Sequence, residues 1–135
     1  MTDDPSSPMT DSMTERERYE QGLRMRREVL GDEHVDRALA NRTPLNEDFQ
    51  SFITRAAWGE VWADETLPRH TRSLLTIALL VALNRPDELR MHLRAAVRNG
   101  VSHDEIRALL LHCAIYCGVP AANAAFHLAE EVFAS

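Results

Sequence analysis

Glu88 and His92 stand four residues apart, and downstream of them lies the run Tyr116-Cys117-Gly118-Val119-Pro120-Ala121-Ala122-Asn123. On a helix, residues i and i+4 share one face, a single turn apart. A carboxyl group beside an imidazole is equipment for proton transfer, because the imidazole titrates near neutrality and the carboxylate can orient it. The same spacing also describes a solvated surface pair worth a few tenths of a kcal/mol. Which of the two holds depends on what surrounds the pair.

Three other groups of residues carry chemical potential. The junction Gly118-Val119-Pro120 can aim the Tyr116 hydroxyl and the Asn123 carboxamide at a common point, or can be a mere connector. The block Trp58-Gly59-Glu60-Val61-Trp62 places two indoles at helical spacing around a carboxylate. Glycine inside a helix costs about 1 kcal/mol relative to alanine, so Gly59 suggests a close approach by backbone or ligand. Arg72 and Ser73 open a helix whose free N–H groups favour an anion, although a surface arginine is the plainer reading. His112 and Tyr116, four apart in an apolar stretch, read as a satisfied core pair, and His34, His70 and His103 as solvated.

Several chemistries are excluded. All 15 basic residues are arginine, so neither a Schiff base nor a P-loop lysine is available. An anionic substrate must then be held by guanidinium, backbone or helix N-terminus. No His-Glu-x-x-His, Cys-x-x-Cys or Glu-x-x-His pattern of metal-binding type occurs, and no nucleophile elbow supports a serine triad. The net charge of −6, with no basic cluster, argues against nucleic acid as a partner. The longest apolar run, Leu74 to Leu83, is too short to span a bilayer, and no signal peptide is evident. Cys113 and Cys117, four apart on one helix, read as buried, reduced thiols of a cytoplasmic protein.

The elements that must position these residues are all helical. Residues 1–13, rich in Ser, Thr, Pro and Asp, predict a disordered tail, and 14–135 a single domain. Capping boxes at Thr14/Glu17 and Ser102/Glu105 open the first and sixth helices. A short helix covers Glu33 to Asn41, and a third runs from Asn46 to about Trp62. The fourth spans Arg69 to Asn84 and is apolar on nearly every face, so it is expected to be central and buried. The fifth runs from Asp87 to Asn99 with Leu89, Leu93, Ala96 and Val97 as core stripe and Glu88, His92 and Ala95 on its border. Pro120 begins the seventh. Because the fourth and sixth helices lack a broad polar face, a homo-oligomer is expected.

From about Tyr19 onward the chain resembles the 4-carboxymuconolactone decarboxylases, of the alkylhydroperoxidase D-like superfamily. The resemblance rests on Trp58-Gly59-Glu60-Val61-Trp62, Arg72-Ser73-Leu74-Leu75, Glu88-Leu89-Arg90-Met91-His92, Asn99-Gly100-Val101 and the block from Tyr116 to Phe126. It implies an all-α bundle of about six to seven helices that assembles as a trimer or hexamer. Redox members of that superfamily carry Cys-x-x-Cys-x-x-x-His with a glutamate upstream. The corresponding positions here are Arg85, Glu88, His92 and Ser73, so thiol peroxidase activity is not expected.

The resemblance also implies cofactor-free decarboxylation of a lactone carboxylate in aromatic catabolism through the β-ketoadipate pathway. Under it, His92 and Glu88 are the candidate catalytic residues, while Arg72 and Arg85 anchor a carboxylate. Ser73, Glu60, Tyr116 and Asn123 join the substrate site, and Trp58 and Trp62 wall it. Two alternatives stay open: a related enzyme acting on another lactone or small acid, and a non-catalytic helical assembly module.

Overall fold

Local signals set the helix ends. The Glu17 backbone N–H donates to Thr14 Oγ1 at 3.1 Å and that of Glu105 to Ser102 Oγ at 3.1 Å. Each glutamate accepts in return from the backbone N–H of its cap, so both capping boxes are closed. The computed structural model describes residues 13–134, so the tail expected over 1–13 lies, Met13 aside, outside the described residues. Among the described residues the α-helices are α1 (Glu15–Leu30), α2 (Asp32–Ala40), α3 (Glu47–Ile53), α4 (Arg69–Ala82), α5 (Pro86–Arg98), α6 (His103–Tyr116) and α7 (Val119–Ala134). These described residues contain no strand, and the all-α bundle anticipated is the one observed.

Helix α3 does not continue as α-helix to Trp62. It widens into a π-helix, Thr54–Val61, with the Trp62 N–H donating to Ala57 O, five residues back, at 2.9 Å. The wide segment is pressed against α1. A Cβ added at Gly22 would collide with the Thr54 carbonyl, and one at Gly59 with the Arg18 carbonyl. The Gly59 carbonyl is also taken by Gln21 Nε2 at 2.8 Å, an acceptor drawn out of its own helix. Gly59 thus serves a backbone-to-backbone approach. π-Helical turns cluster at functional sites, and the two tryptophans sit on this one.

The apolar core lies among α4, α5, α6 and α7. Ile77, Leu93, Ala96, Ile106 and Leu110 are almost wholly buried there, and the free thiol Cys113 joins them. Burial, with Cys117 nearby, pushes the Cys113 thiol up to about 11. A second layer of α1, α2 and the π-helix meets α5 through α1 and through the Trp62–His92 ring contact. Helix α5 is therefore covered on two faces, which changes its expected pattern. His92 and Ala95, expected at a wet border, are buried, whereas Val97, expected in the core stripe, is half exposed.

Helices α4 and α6 also depart from expectation. Each buries one stripe, Ser73/Ile77/Val81 and Ile106/Leu110/Cys113. The opposite stripes, Leu75, Leu79 and Leu83 on α4 and Leu111 and Ile115 on α6, remain exposed because no further helix among the described residues reaches them. His112 and Tyr116 are likewise exposed rather than core, their rings packed on each other at 4.8 Å. Gly118, at φ 98°, makes the sharp link from α6 to α7.

Candidate active site

His92 projects from the face of α5 that meets the second layer. Its ring stacks on Trp62 with centroids 6.2 Å apart and planes at 16°, and Trp62 stacks on Trp58 at 5.1 Å and 28°. The four-residue spacing of the indoles and the π-helix–α5 packing together build a three-ring ladder. His92 is 8% exposed, and its Nδ1 is buried without a hydrogen-bond partner among the described residues. Burial, helped by the nearby His34, brings its pKa down from 6.5 to about 4, while Glu88 pulls weakly the other way. The imidazole is therefore neutral at pH 7, a donor or acceptor held in a low-dielectric wall.

Glu88, its helical neighbour, is exposed and forms no hydrogen bond with His92. The two act on each other only through space. Glu60 is exposed and pairs loosely with Arg18 at 3.9 Å. Arg85 lies exposed at the N-cap of α5, and Tyr116 and Asn123 are exposed at the α6–α7 junction. Among the described residues no hydrogen bond or ring contact ties these four to the His92 ladder.

The start of α4 supplies a second cluster. Arg72 Nη2 donates to the Asp64 carbonyl at 2.9 Å, which fastens it to the loop leaving Trp62, while its Nε is buried and unpartnered. Ser73, fully buried, accepts from Asn99 Nδ2 of α5 at 3.0 Å, and Asn99 Oδ1 has no partner. Ser73 and Asn99 thus tie the start of α4 to the far end of the helix that carries His92.

Two residues escaped the sequence reading. His34, expected to be solvated, is half buried on α2, and burial followed by Arg26 and Arg37 lowers its pKa. It lines a cavity of about 620 Å³ between α2 and α5, along with Leu30, Arg37, Met91 and Arg94. Arg26 is 5% exposed on α1, and its Nη1 donates to Gln50 Oε1 at 3.2 Å and Thr54 Oγ1 at 3.4 Å. A signal for Arg26 was present: it falls with Gly22 and Val29 on the one buried stripe of α1. His70, also expected to be solvated, pairs with Glu105 at 2.8 Å, and His103 stacks on Phe133 at 4.1 Å.

Among the described residues, four buried side-chain polar atoms lack a partner: Arg26 Nε, Arg72 Nε, His92 Nδ1 and Asn99 Oδ1. Native interiors leave few such groups; the two guanidinium N–H groups are donors that suit an oxygen-rich anion, whereas Asn99 Oδ1 is an acceptor. No group of three or more His, Cys, Asp or Glu that could hold a metal ion is gathered among the described residues.

Residues 47–131 match the model of the carboxymuconolactone decarboxylase family. The chain is 62% identical over 121 residues, 90% of each chain, to a 4-carboxymuconolactone decarboxylase of Acinetobacter baylyi. It is 44% identical over 115 residues, 85% of this chain and 80% of the relative, to a nitrosuccinic acid decarboxylase of Metarhizium robertsii. A third match, 50% identical over 48 residues, covers 36% of this chain and all of a 4-carboxymuconolactone decarboxylase sequence from Pseudomonas putida. With its helical fold, its matched core and a relative this similar along nine-tenths of its length, the chain belongs to the carboxymuconolactone decarboxylase family.

Proposed function

We propose that this chain is a carboxy-lyase that converts 4-carboxymuconolactone to the enol-lactone of 3-oxoadipate without a cofactor, in aromatic catabolism through the β-ketoadipate pathway. The observation that carries the reading is the 62% identity, sustained over nine-tenths of both chains, to an enzyme of that name. The buried imidazole beside two indoles supplies a site of matching character.

The substrate carries its own electron sink. The bond from the ring γ-carbon to its carboxylate breaks, carbon dioxide departs, and the electron pair moves through the ring double bond onto the lactone carbonyl oxygen. A proton then adds at the α-carbon. The protein must anchor the acetate arm, stabilise the dienolate oxygen and deliver that proton.

Arg72 is the proposed carboxylate anchor, with Arg85 assisting if substrate or a neighbouring subunit draws it in. Ser73 holds Asn99 and so steadies the α4–α5 pair behind the site. His92 is the proposed hydrogen-bond donor to the dienolate oxygen and carrier of the proton. A neutral imidazole suits the first task, since its N–H donates without having to shed a charge. Negative charge developing beside it raises its pKa again, so the ring takes up a proton from solvent and passes it to the α-carbon, returning to the neutral form. Glu88 supplies a charge that favours the imidazolium. Trp58 and Trp62 keep water from the departing carboxylate, while Glu60, Tyr116 and Asn123 complete the site in the assembled protein.

That assembly is part of the proposal. The exposed stripes of α4 and α6 leave a single chain with large apolar faces, and a homo-oligomer, trimer or hexamer, covers them. A cytoplasmic location accords with the free Cys113 and Cys117. Among the described residues no helix is long and apolar enough to cross a membrane.

A second reading is favoured by the 44% identical relative. Nitrosuccinic acid and 4-carboxymuconolactone both carry the departing carboxyl and a carboxymethyl arm on one carbon, next to an electron sink. The site then takes that pattern rather than the lactone ring. Carbon dioxide release measured on both acids, with His92→Ala as control, decides. Turnover of the lactone alone establishes the first reading, turnover of both the broader one, and turnover of neither by folded oligomer refutes both.

A further inference from the structure

We propose that Arg26 of α1, working with His34 of α2, is a further anchor for the substrate's carboxylate. Helices α1 and α2 lie outside the segment matched by the family model, and no activity-bearing residue has yet been placed on them.

Arg26 lacks the partners that a buried guanidinium needs. A guanidinium withdrawn from water must be repaid by a counter-charge or a full set of acceptors. Arg26 is 5% exposed, yet it forms hydrogen bonds through Nη1 alone, to two neutral side chains, and its Nε is buried without a partner. No carboxylate pairs with it among the described residues. Burial lowers its pKa, and Tyr19 pulls the other way. The contrast with the next residue is sharp, since Arg27 pairs with Asp32 at 3.2 Å and Asp36 at 2.9 Å. Helix α2 thus supplies acids to the outward arginine of α1 and none to the inward one.

The surroundings repeat the pattern. Arg26 lies within electrostatic reach of His34, and His34 within reach of His92, whose buried Nδ1 is also unpartnered. Arg26, His34 and His92 come from three helices and converge as donors or cations. Arg26 Nε and His92 Nδ1, each unpartnered and on a side chain more than nine-tenths buried, thus belong to a set of basic groups on which Glu88 acts only through space. A dicarboxylate completes that arrangement. Cationic contact with the departing carboxylate would stabilise the ground state more than the transition state. The carboxylate that fits Arg26 is therefore the one that stays, on the carboxymethyl arm, which Arg26 holds together with Arg72. This assignment rests on the decarboxylase reading; the anion site itself does not.

The test compares wild type, Arg26→Met and Arg26→Lys. The probes are 4-carboxymuconolactone for turnover and succinate, a dicarboxylate without an electron sink, for binding by thermal shift. The expected result is a KM raised about tenfold to a hundredfold in Arg26→Met, the range of a charge-assisted hydrogen bond. Succinate protection should vanish in that variant, with partial recovery in Arg26→Lys. The melting temperature of ligand-free Arg26→Met should stay level or rise, because a well-packed apolar residue relieves an unpaired buried charge. A purely structural arginine predicts the reverse: a lowered melting temperature with KM and succinate shift unchanged, which overturns the proposal.

If Arg26→Met does not fold, the Arg26 Nε–H resonance in ¹⁵N-arginine-labelled wild type carries the test. Succinate must shift it and slow its exchange; an unmoved resonance overturns the proposal. Failure of the broader reading looks different. Wild type that binds succinate through Arg26 but does not release carbon dioxide from the lactone keeps the anion site and loses the decarboxylase.

Discussion

Lowering the pH from about 7 to about 5 should destabilise the protein through His92 while the ring stays neutral in the fold. The sign follows from proton binding. The unfolded chain takes up a proton at its imidazole near 6.5, whereas the folded state resists until about 4. Between those values the unfolded state holds one more proton, so stability falls as pH falls. At about 1.4 kcal/mol per pH unit, the full fall from 6.5 to about 4 sets a ceiling of about 3 kcal/mol, nearly all of it lost by pH 4. At pH 5 the share already lost is about 2 kcal/mol. Because His92 is 8% exposed, solvent screening removes little of this. His34 titrates in the same direction, so the comparison that isolates His92 is wild type against His92→Gln. Urea unfolding at one fixed protein concentration, at about pH 7 and about pH 5, reads the difference. Wild type should lose about 2 kcal/mol more than the variant across that interval. Parallel losses in the two proteins would refute the burial argument, as would an NMR titration of the His92 ring with its midpoint near 6.5.

Gly22→Ala should cost at least about 2–3 kcal/mol, because the new methyl meets the Thr54 main chain rather than a yielding side chain. Denaturant midpoints check this, and a midpoint like wild type would mean that α1 and the π-helix separate without loss. Trp62→Leu should move the His92 midpoint upward from about 4, since removing the stacked ring admits water; a ¹⁵N imidazole titration shows it. Extensive treatment with a metal chelator should leave carbon dioxide release unchanged, because the lactone carbonyl is the proposed electron sink; loss of activity restored by added metal would contradict the scheme.

Much of this molecule was written locally. Thr14/Glu17 and Ser102/Glu105 begin helices and Pro120 falls in the first turn of another, because such signals act between residues only a few positions apart. The all-helical class, the close approach at Gly59 and the family blocks around His92 were legible for the same reason. The electrostatic state of the site was not. Periodicity along α5 marks one apolar stripe, but it does not reveal that α1, α2 and the π-helix cover a second face. That long-range packing turns His92 from a border residue into a buried neutral ring and leaves Glu88 in water. It also places an arginine, 66 positions before His92 in the chain, within reach of the His34 imidazole and without a carboxylate partner among the described residues. Helix signals depend on neighbours in sequence, whereas desolvation and charge pairing depend on neighbours in space, and only the tertiary structure supplies those.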